Sequence, residues 1–481
     1  MALSPLFGDI NPTLQKQATS GNYLDFTSGA GNDFSQQYLP EIYEAEVERY
    51  GNRTLSGFLN MVGAEMPMTS DQVIWSEQNR LHISYDACTL TATDSAELTI
   101  QDSDGSVGAG KPHAIRENAL IVILDPATGT EYKAIVKGAI TDTTIKAHPF
   151  GAAAWDGTTA ASAGLKVFVF GSEFGKGTAG MQGSVEPSFT QFSNSPIIIK
   201  DKYGINGSDT AQIGWVEVAT EDGTSGYLWY LKAESETRLR YQDYLEMAMV
   251  ESEKVDDTLA GISANSKNAK GTEGLFAAIT KRGNVYGAFP ADLDSFDTIL
   301  KNLDGQGAIE ENMLFLDRAT NLAFDDMLAG LDGGSQGSGS AYGVFENSQE
   351  MALNLGFTGF RRGSYDFYKT DWKYLNDAST RGADSSFAGG QNPEGDAIDG
   401  VLVPAGTSTV YDQILGTNIR RPFLHVRYRA SEADDRRMKT WITGSVGGAY
   451  TSDVDEMNVH FLSERCLCVQ GANNFVLLKS V

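Results

Sequence analysis

The chain has 481 residues, 41% of them hydrophobic and 21% charged, the composition of a folded protein with more than one core. Its formal net charge of -26 argues against a protein that grips nucleic acid or an anionic membrane through its overall field. Three cysteines, Cys88, Cys466 and Cys468, are too few for a disulfide framework, and the longest aliphatic run, ALIVIL at 119–124, is too short to cross a bilayer.

Residues 1–60 read as an extended arm with short helical turns. The opening stretch MALSPLFGDINPTLQKQ lacks the basic and apolar regions of a signal peptide, so synthesis and folding in the cytosol are expected. QVIW and RLHISY then read as strands on either side of SEQN, a long hairpin with Glu77 and Arg80 near its tip. Residues 86–170 are β-rich: LTIQD, ALIVILD, EYKAIVKG, TTIKA and LKVFVF are separated by turn chemistry such as Asp125-Pro126-Ala127-Thr128-Gly129. So many short strands suggest a small barrel or sandwich with its own core.

The clearest helix spans 226–256, with no proline and no internal glycine. Leu228, Leu231, Leu239, Leu245 and Met249 supply its apolar stripe, and Glu234/Arg238 and Glu236/Arg240 are favourably ordered pairs one turn apart. At 1.5 Å per residue it is a rod of roughly 45 Å. Residues 270–430 read as α/β: SFDTILKNL a helix, MLFLD a buried strand, RATNLAFDDMLAGL a helix and YDFYKTDWKYLND a strand, interrupted by loops at 333–343 and 380–400. FLHVRYRA and VHFLSERCLCVQGANNFVLLK close the chain as strands. No internal repeat is visible.

The chemical motifs fail on spacing. VFVFGSEFGKGTAG (167–180) begins like a phosphate-binding loop, but only three residues separate Gly171 from Gly175, and Gly177 follows Lys176 where a hydroxyl residue belongs. No helix pattern follows it, so a turn leaving the β-rich block is expected. GGSQG (333–337) matches a nucleophile elbow, yet Ser335 sits in a Gly/Ser tract rather than between a strand and a helix. In HFLSERCLC, His460, Glu464, Cys466 and Cys468 share one face of a strand, but His460 and Cys468 lie roughly 26 Å apart and cannot meet on one ion. The two cysteines read as small buried residues. The five histidines form no ligand spacing. Arg427, Arg429, Arg436 and Arg437 are interleaved with Glu432, Asp434 and Asp435, so ion pairing within the chain or across subunits is expected. No catalytic residue, metal ligand or cofactor site follows, and the chain does not read as an enzyme.

The order of these elements resembles the major capsid proteins of tailed bacteriophages with the Hong Kong 97-type fold. EMPMTSDQVIWSEQNRLHISYD is similar to the outgoing strand of that family's E-loop, and SEFGKGTAGMQGSVEPSFTQFSNSPIIIKDKYGING to the return. Residues 226–256 resemble its spine helix. MLFLDRATNLAFDDML and YDFYKTDWKYLND resemble its axial domain, and MNVHFLSERCLCVQGANNFVLLK its closing strands. The texture is most similar to capsid proteins of phages that infect Bacteroidetes, crAss-like phages among them. The resemblance implies an α+β fold in which 1–60 is the N-terminal arm, 61–85 the outgoing E-loop strand, and 86–170 an inserted β domain. Residues 171–269 would be the E-loop return and peripheral domain, 270–430 the axial domain and 431–481 closing peripheral strands.

The implied function is self-assembly into hexamers and pentamers of an icosahedral virion shell around packaged double-stranded DNA, bound without sequence specificity and with no membrane. The implied partners are further copies of the chain through arm and E-loop, the portal, and auxiliary, decoration or scaffolding proteins. Assembly would take place in the host cytoplasm. Glu77 and Arg80 would make intersubunit contacts, and Arg361, Arg362, Arg420 and Arg421 would lie around or between capsomers. Because the sequence starts at Met1 without a charged coiled coil, processing of an N-terminal scaffolding segment is not expected. The alternatives are another virion protein, such as a tail or baseplate component, or a cytosolic enzyme. Repeats would favour the first, and nucleotide binding the second.

Overall fold

The computed structural model describes most of residues 64–208, 228–255, 271–332, 358–384 and 398–479. The arm read at 1–60, the GGSQG stretch and most of the loop at 380–400 lie outside the described residues. The fold is α+β, with many strands and few helices. Two compact units are formed: one from Trp75–Phe192, the other from Met1–Ile74 with Ser193–Val481.

Strands β1 (Ala64–Met68) and β2 (Val73–Gln78) come first. Six strands follow: β3 (Ser84–Ala92), β4 (Glu97–Thr99), β5 (Ala119–Leu124), β6 (Glu131–Val136), β7 (Thr144–Pro149) and β8 (Ala163–Ser172). They close a barrel in the order β3-β4-β7-β6-β5-β8, and every neighbouring pair is antiparallel. Closure removes sheet edges, which a small β unit would otherwise expose. Alternate residues point inward, and Cys88, Leu98, Ile121, Ile123, Val136, Ile145 and Val167 fill the interior. The β5–β6 connection is built by Asp125. Its carboxylate accepts from Ala127 N (2.9 Å) and Thr128 Oγ1 (2.9 Å), and Gly129 takes the left-handed φ of 71° that a side chain would resist.

The expected hairpin of QVIW with RLHISY does not form. β2 pairs instead with β9 (Phe189–Asn194), and Trp75 lies against Phe192 with ring centroids 6.3 Å apart. RLHISY runs into β3, whose inward Tyr85, Cys88 and Leu90 are buried only if it pairs with β4 and β8. A short-range turn cannot compete with burying those three side chains.

The other unit holds two sheets. β10 (Ile197–Asn206) is followed by two short strands, β11 (Val218–Ala219) and β12 (Ser225–Gly226), which pair with each other. Helix α1 spans Leu228–Glu251, followed by α2 (Leu275–Arg282), β13 (Asn284–Tyr286), α3 (Leu293–Gln306), β14 (Glu311–Leu316), α4 (Arg318–Asp332), β15 (Thr358–Arg362) and β16 (Tyr365–Asp371). The stretch read as one strand at 365–377 is two elements. β16 ends at Asp371 and a single helical turn, α5 (Lys373–Asn376), begins after Trp372, which lets Trp372, Tyr374 and Leu375 all enter the core. β17 (Ile398–Pro404), the β18 (Thr407–Asp412)–β19 (Thr417–Pro422) ribbon, β20 (Leu424–Arg429), β21 (Lys439–Gly444), β22 (Glu456–Val469) and β23 (Val476–Lys479) complete the chain.

One sheet has the order β1-β20-β22-β10, with β21 also paired to β22, and the second has the order β13-β23-β17-β14-β16-β15. β1 is a parallel edge strand on β20, and Pro67 occupies it at a position where a missing donor is tolerated. Both sheets share one core. Met249 and Val250 of α1 and Leu275 and Ile279 of α2 join Val426 and Leu467 of the first sheet to Phe315, Val401 and Leu477 of the second. On the far side of the second sheet, Phe296, Phe324, Phe360 and Phe367 interlock, with Phe296 at 5.5 Å from Phe324 and 5.4 Å from Phe367.

α1 buries Leu245 and Met249 of the expected stripe but not Leu239, and the side chains of Leu228 and Leu231 lie outside the described residues. Thr237, Tyr241, Leu245 and Met249 face inward at four-residue spacing, and Leu239 is 42% exposed. Tyr241 lies 5.6 Å from Phe461 and donates its hydroxyl to the Ile199 carbonyl at 3.1 Å. Thr237 returns its hydroxyl to the Ala233 carbonyl at 2.9 Å, which satisfies a polar group on the buried face.

Candidate functional site

The phosphate-loop-like stretch is a closed turn. After β8 the chain reverses at Gly177 (φ 77°), and Thr178 donates both its amide (3.3 Å) and its hydroxyl (2.7 Å) to the Gly175 carbonyl. The threonine hydroxyl is thus used within the turn, and no helix begins there. Cys466 and Cys468 are fully buried on β22, and Cys468 stands directly opposite His425 of β20. The hydrogen bond with Cys468, together with burial, pushes the Cys466 thiol well up, and burial raises Cys88 to about 11. Among the described residues, no group of three or more His, Cys, Asp and Glu side chains is placed to hold a metal ion.

The densest polar constellation joins β1, β20, β22 and the segment before β21. Glu464, buried on β22, sits between Arg429 Nε (2.7 Å) and Arg436 Nη1 (2.5 Å). Arg429 also pairs with Asp71, and that bond holds its guanidinium above the ordinary range. Arg437 pairs with Glu65 of β1, whose other oxygen lies 3.6 Å from Arg465 Nη1. Arg465 is buried, and desolvation lowers its pKa. It is anchored by its own strand, donating Nε to Ser463 Oγ (2.9 Å) and Nη2 to the Arg437 carbonyl (2.9 Å). Asp434 pairs with Lys439 at 2.7 Å and with Arg436 at 3.6 Å. Of the arginines that the sequence interleaves with acids, Arg429, Arg436 and Arg437 are therefore paired within the chain.

Two more polar knots fix the elements. At the end of α1, Glu251 accepts both Arg381 bonds at 2.7 Å and the Tyr374 hydroxyl at 2.6 Å. Buried Asn194, at the end of β9, bonds the main chain of Ser195, Glu273 and Leu467.

Those of the residues singled out in the sequence that are described lie on β2, β15 and β19. Glu77 lies on β2 and accepts from Trp75 Nε1 at 3.0 Å, while Arg80 is outside the described residues. Arg362 is engaged by Asp297 of α3, with its Nε 2.6 Å from Oδ1, and its guanidinium holds the Asp297 carboxyl below the usual carboxylate range. Arg361 is half exposed, 3.5 Å from Asp366. Arg420 and Arg421 lie on β19 opposite Thr409 and Ser408, with side chains outside the described residues. Sequence reasoning passed over Glu65, Asp71, Asn194 and Arg465. The only available signal was the mixed-sign run at 427–437, and it does not name partners so far away in the chain.

No protein-family model matches the chain, and no curated protein matches it. Among solved structures it is similar to one from Mycobacterium phage Ogopogo, at 7% identity over 90% of this chain and 94% of that chain, with a TM-score of 0.37. It is similar to the capsid structure of the cyanophage P-SCSP1u at 8% identity, over 95% of each chain, with a TM-score of 0.37. A third is the capsid of Myoviridae phage XM1, at 10% identity over 64% of this chain and 81% of that one, with a TM-score of 0.32. Similarity at this level carries no argument about what the chain does.

Proposed function

We propose that the chain is a phage capsid protein, and specifically the major one, forming hexamers and pentamers of an icosahedral shell around double-stranded DNA. The observation that carries this reading is the order in which one chain builds its parts. A segment at 64–68 pairs with strands near the C-terminus into a sheet backed by the long helix α1. The chain then departs along β2 into a closed barrel and comes back along β9 beside β2. Most of a second sheet is built between α1 and β20, and β23 completes it from the far end of the chain. That succession supports the E-loop with insert, peripheral domain and axial domain of the resemblance, and the arm is proposed for 1–60, which lies outside the described residues.

On this reading, identical copies meet through unlike surfaces, and rotation closes them into rings. Contacts of arm and E-loop with neighbours add buried interface to a chain of modest core. The net negative charge lets DNA pack against the shell without adhering to it. Portal, scaffolding and decoration proteins are the further partners, and assembly takes place in the host cytoplasm. The test is expression of the chain alone and with the neighbouring phage genes, followed by negative-stain electron microscopy and light scattering. Shells, tubes or six-fold rings are the expected products. A monodisperse monomer under both conditions would overturn the reading.

A further inference from the structure

The ion-pair constellation has an inner and an outer layer, and the outer layer touches only one element. Glu464 and Arg465, on β22 in the middle of the sheet, are 6% and 9% exposed. Asp71 and Arg437, at the rim, are 79% and 55% exposed. The two carboxylates that meet the rim, Glu65 and Asp71, flank β1: one lies at its start and one just past its end. β1 contributes five residues, Glu65 among them, all paired in parallel with β20. Met68 is its buried apolar side chain, and no β1 residue belongs to the described core clusters. Among the described residues its neighbouring strand is β20.

We infer that β1 is an ionic latch: a strap held to the sheet edge by Glu65–Arg437 and Asp71–Arg429, releasable while the sheet beneath stays folded. Three features point this way. A parallel edge ladder of five residues is weak by itself. Each pair that clamps an end has one exposed partner, Asp71 or Arg437, through which salt reaches and screens it. The arginines they use do not depend on β1 for position: Arg429 is also held by Glu464, Arg437 also lies over the Tyr428 ring at 5.7 Å, and Arg465 is fixed by Ser463. Arg427, Asp434, Arg436 and Lys439 complete the charges around the site, and Asp434 pairs with Lys439 and Arg436 away from β1. Release would therefore free Ala64–Met68 from the sheet and bare the outer edge of β20. The inference is independent of the capsid reading.

The test is amide hydrogen exchange on the full chain at about 0.05 M and about 1 M salt, where the screening length falls to about 3 Å. Exchange at Met66 and Met68, whose amides face β20, should quicken about fivefold for each outer pair lost, while Leu462–Leu467 of β22 stays protected. The double variant E65Q/D71N should exchange as fast at low salt as the unaltered chain does at high salt, and should lose the salt response. β1 exchange indifferent to salt in the unaltered chain, a salt response that survives in the variant, or β1 and β22 opening together would each overturn the latch. The salt titration decides the matter even if the variant folds poorly.

Discussion

Asn194 uses both polar atoms of its side chain on main chain from three places. Oδ1 accepts from Ser195 N (2.9 Å) and Glu273 N (2.8 Å), and Nδ2 donates to the carbonyls of Glu273 (2.9 Å) and Leu467 (2.6 Å). In Asn194→Ala those groups stay buried without partners, so urea unfolding should show a loss of about 3 kcal/mol, well above an ordinary polar truncation. Gly444 is constrained differently. Its φ is 132°, and a Cβ there would fall 1.8 Å from the Glu456 carbonyl oxygen. Gly444→Ala should cost at least about 2 kcal/mol, because the obstructing atom is backbone and cannot rotate away. His113, buried in the barrel unit, supplies a pH signature. Burial holds its pKa below the ordinary 6.5, with Arg116 adding to the effect and the Thr144 and Thr141 backbone and Asp142 opposing it. The unfolded chain therefore takes up a proton first as pH falls, and stability declines below about 6.5 until the folded form is protonated as well. Thermal midpoints followed from pH 7.5 to pH 5 should fall, and His113→Asn should flatten that slope. Asp86 works at the other end of the scale: hydrogen bonds from Asp102 and Ser103 hold it at about 2, so its contribution fades only in strong acid.

α1 shows where sequence and element part company. Its length and its place in the chain are legible, because proline and glycine are missing over a long stretch. Its buried face is legible only in part: Leu245 and Met249 were in the apolar pattern, but Thr237, Tyr241 and Glu246 are buried too, and a hydropathy pattern scores them as polar or mixed. Leu239→Ser should leave stability within about 0.5 kcal/mol, since the side chain is in water. Tyr241→Ala should cost about 4 kcal/mol by emptying the space against Phe461, and Tyr241→Phe about 1 kcal/mol for the bond to Ile199. Denaturant midpoints of the three variants give the order directly. The strands at 119–124, 131–136 and 144–149 were readable for the opposite reason: alternation and turn residues are local, and so is the pairing of β5 with β6 and of β6 with β7. The partner of β2 was not, because β9 lies beyond the whole barrel and nothing between 73 and 78 names it. The same distance hid the charge constellation. Glu65 and Asp71 are near the start of the described chain and their arginines near its end, and strand order alone brings them together.

At the scale of the molecule, the two units differ in how the chain makes them. The Trp75–Phe192 unit is one continuous stretch with its own interior, so as an excised fragment it should fold, giving dispersed amide resonances and a cooperative melt. The other unit cannot be cut this way. Its first sheet needs β1 from one end and β20–β22 from the other, and β23 sits inside its second sheet between β13 and β17. Truncation before β23 should abolish folding of that unit rather than trim it, and a soluble, natively folded fragment ending at 470 would show that the shared core is not needed. The pairing of β2 with β9 has a practical side. Outgoing and returning strands run side by side, about 4.8 Å apart, so everything between them hangs from a single doorway. A foreign domain with adjacent termini could be spliced through that doorway in place of the barrel, and the host sheets would keep their register. The chain is, in that sense, a socket with a replaceable plug.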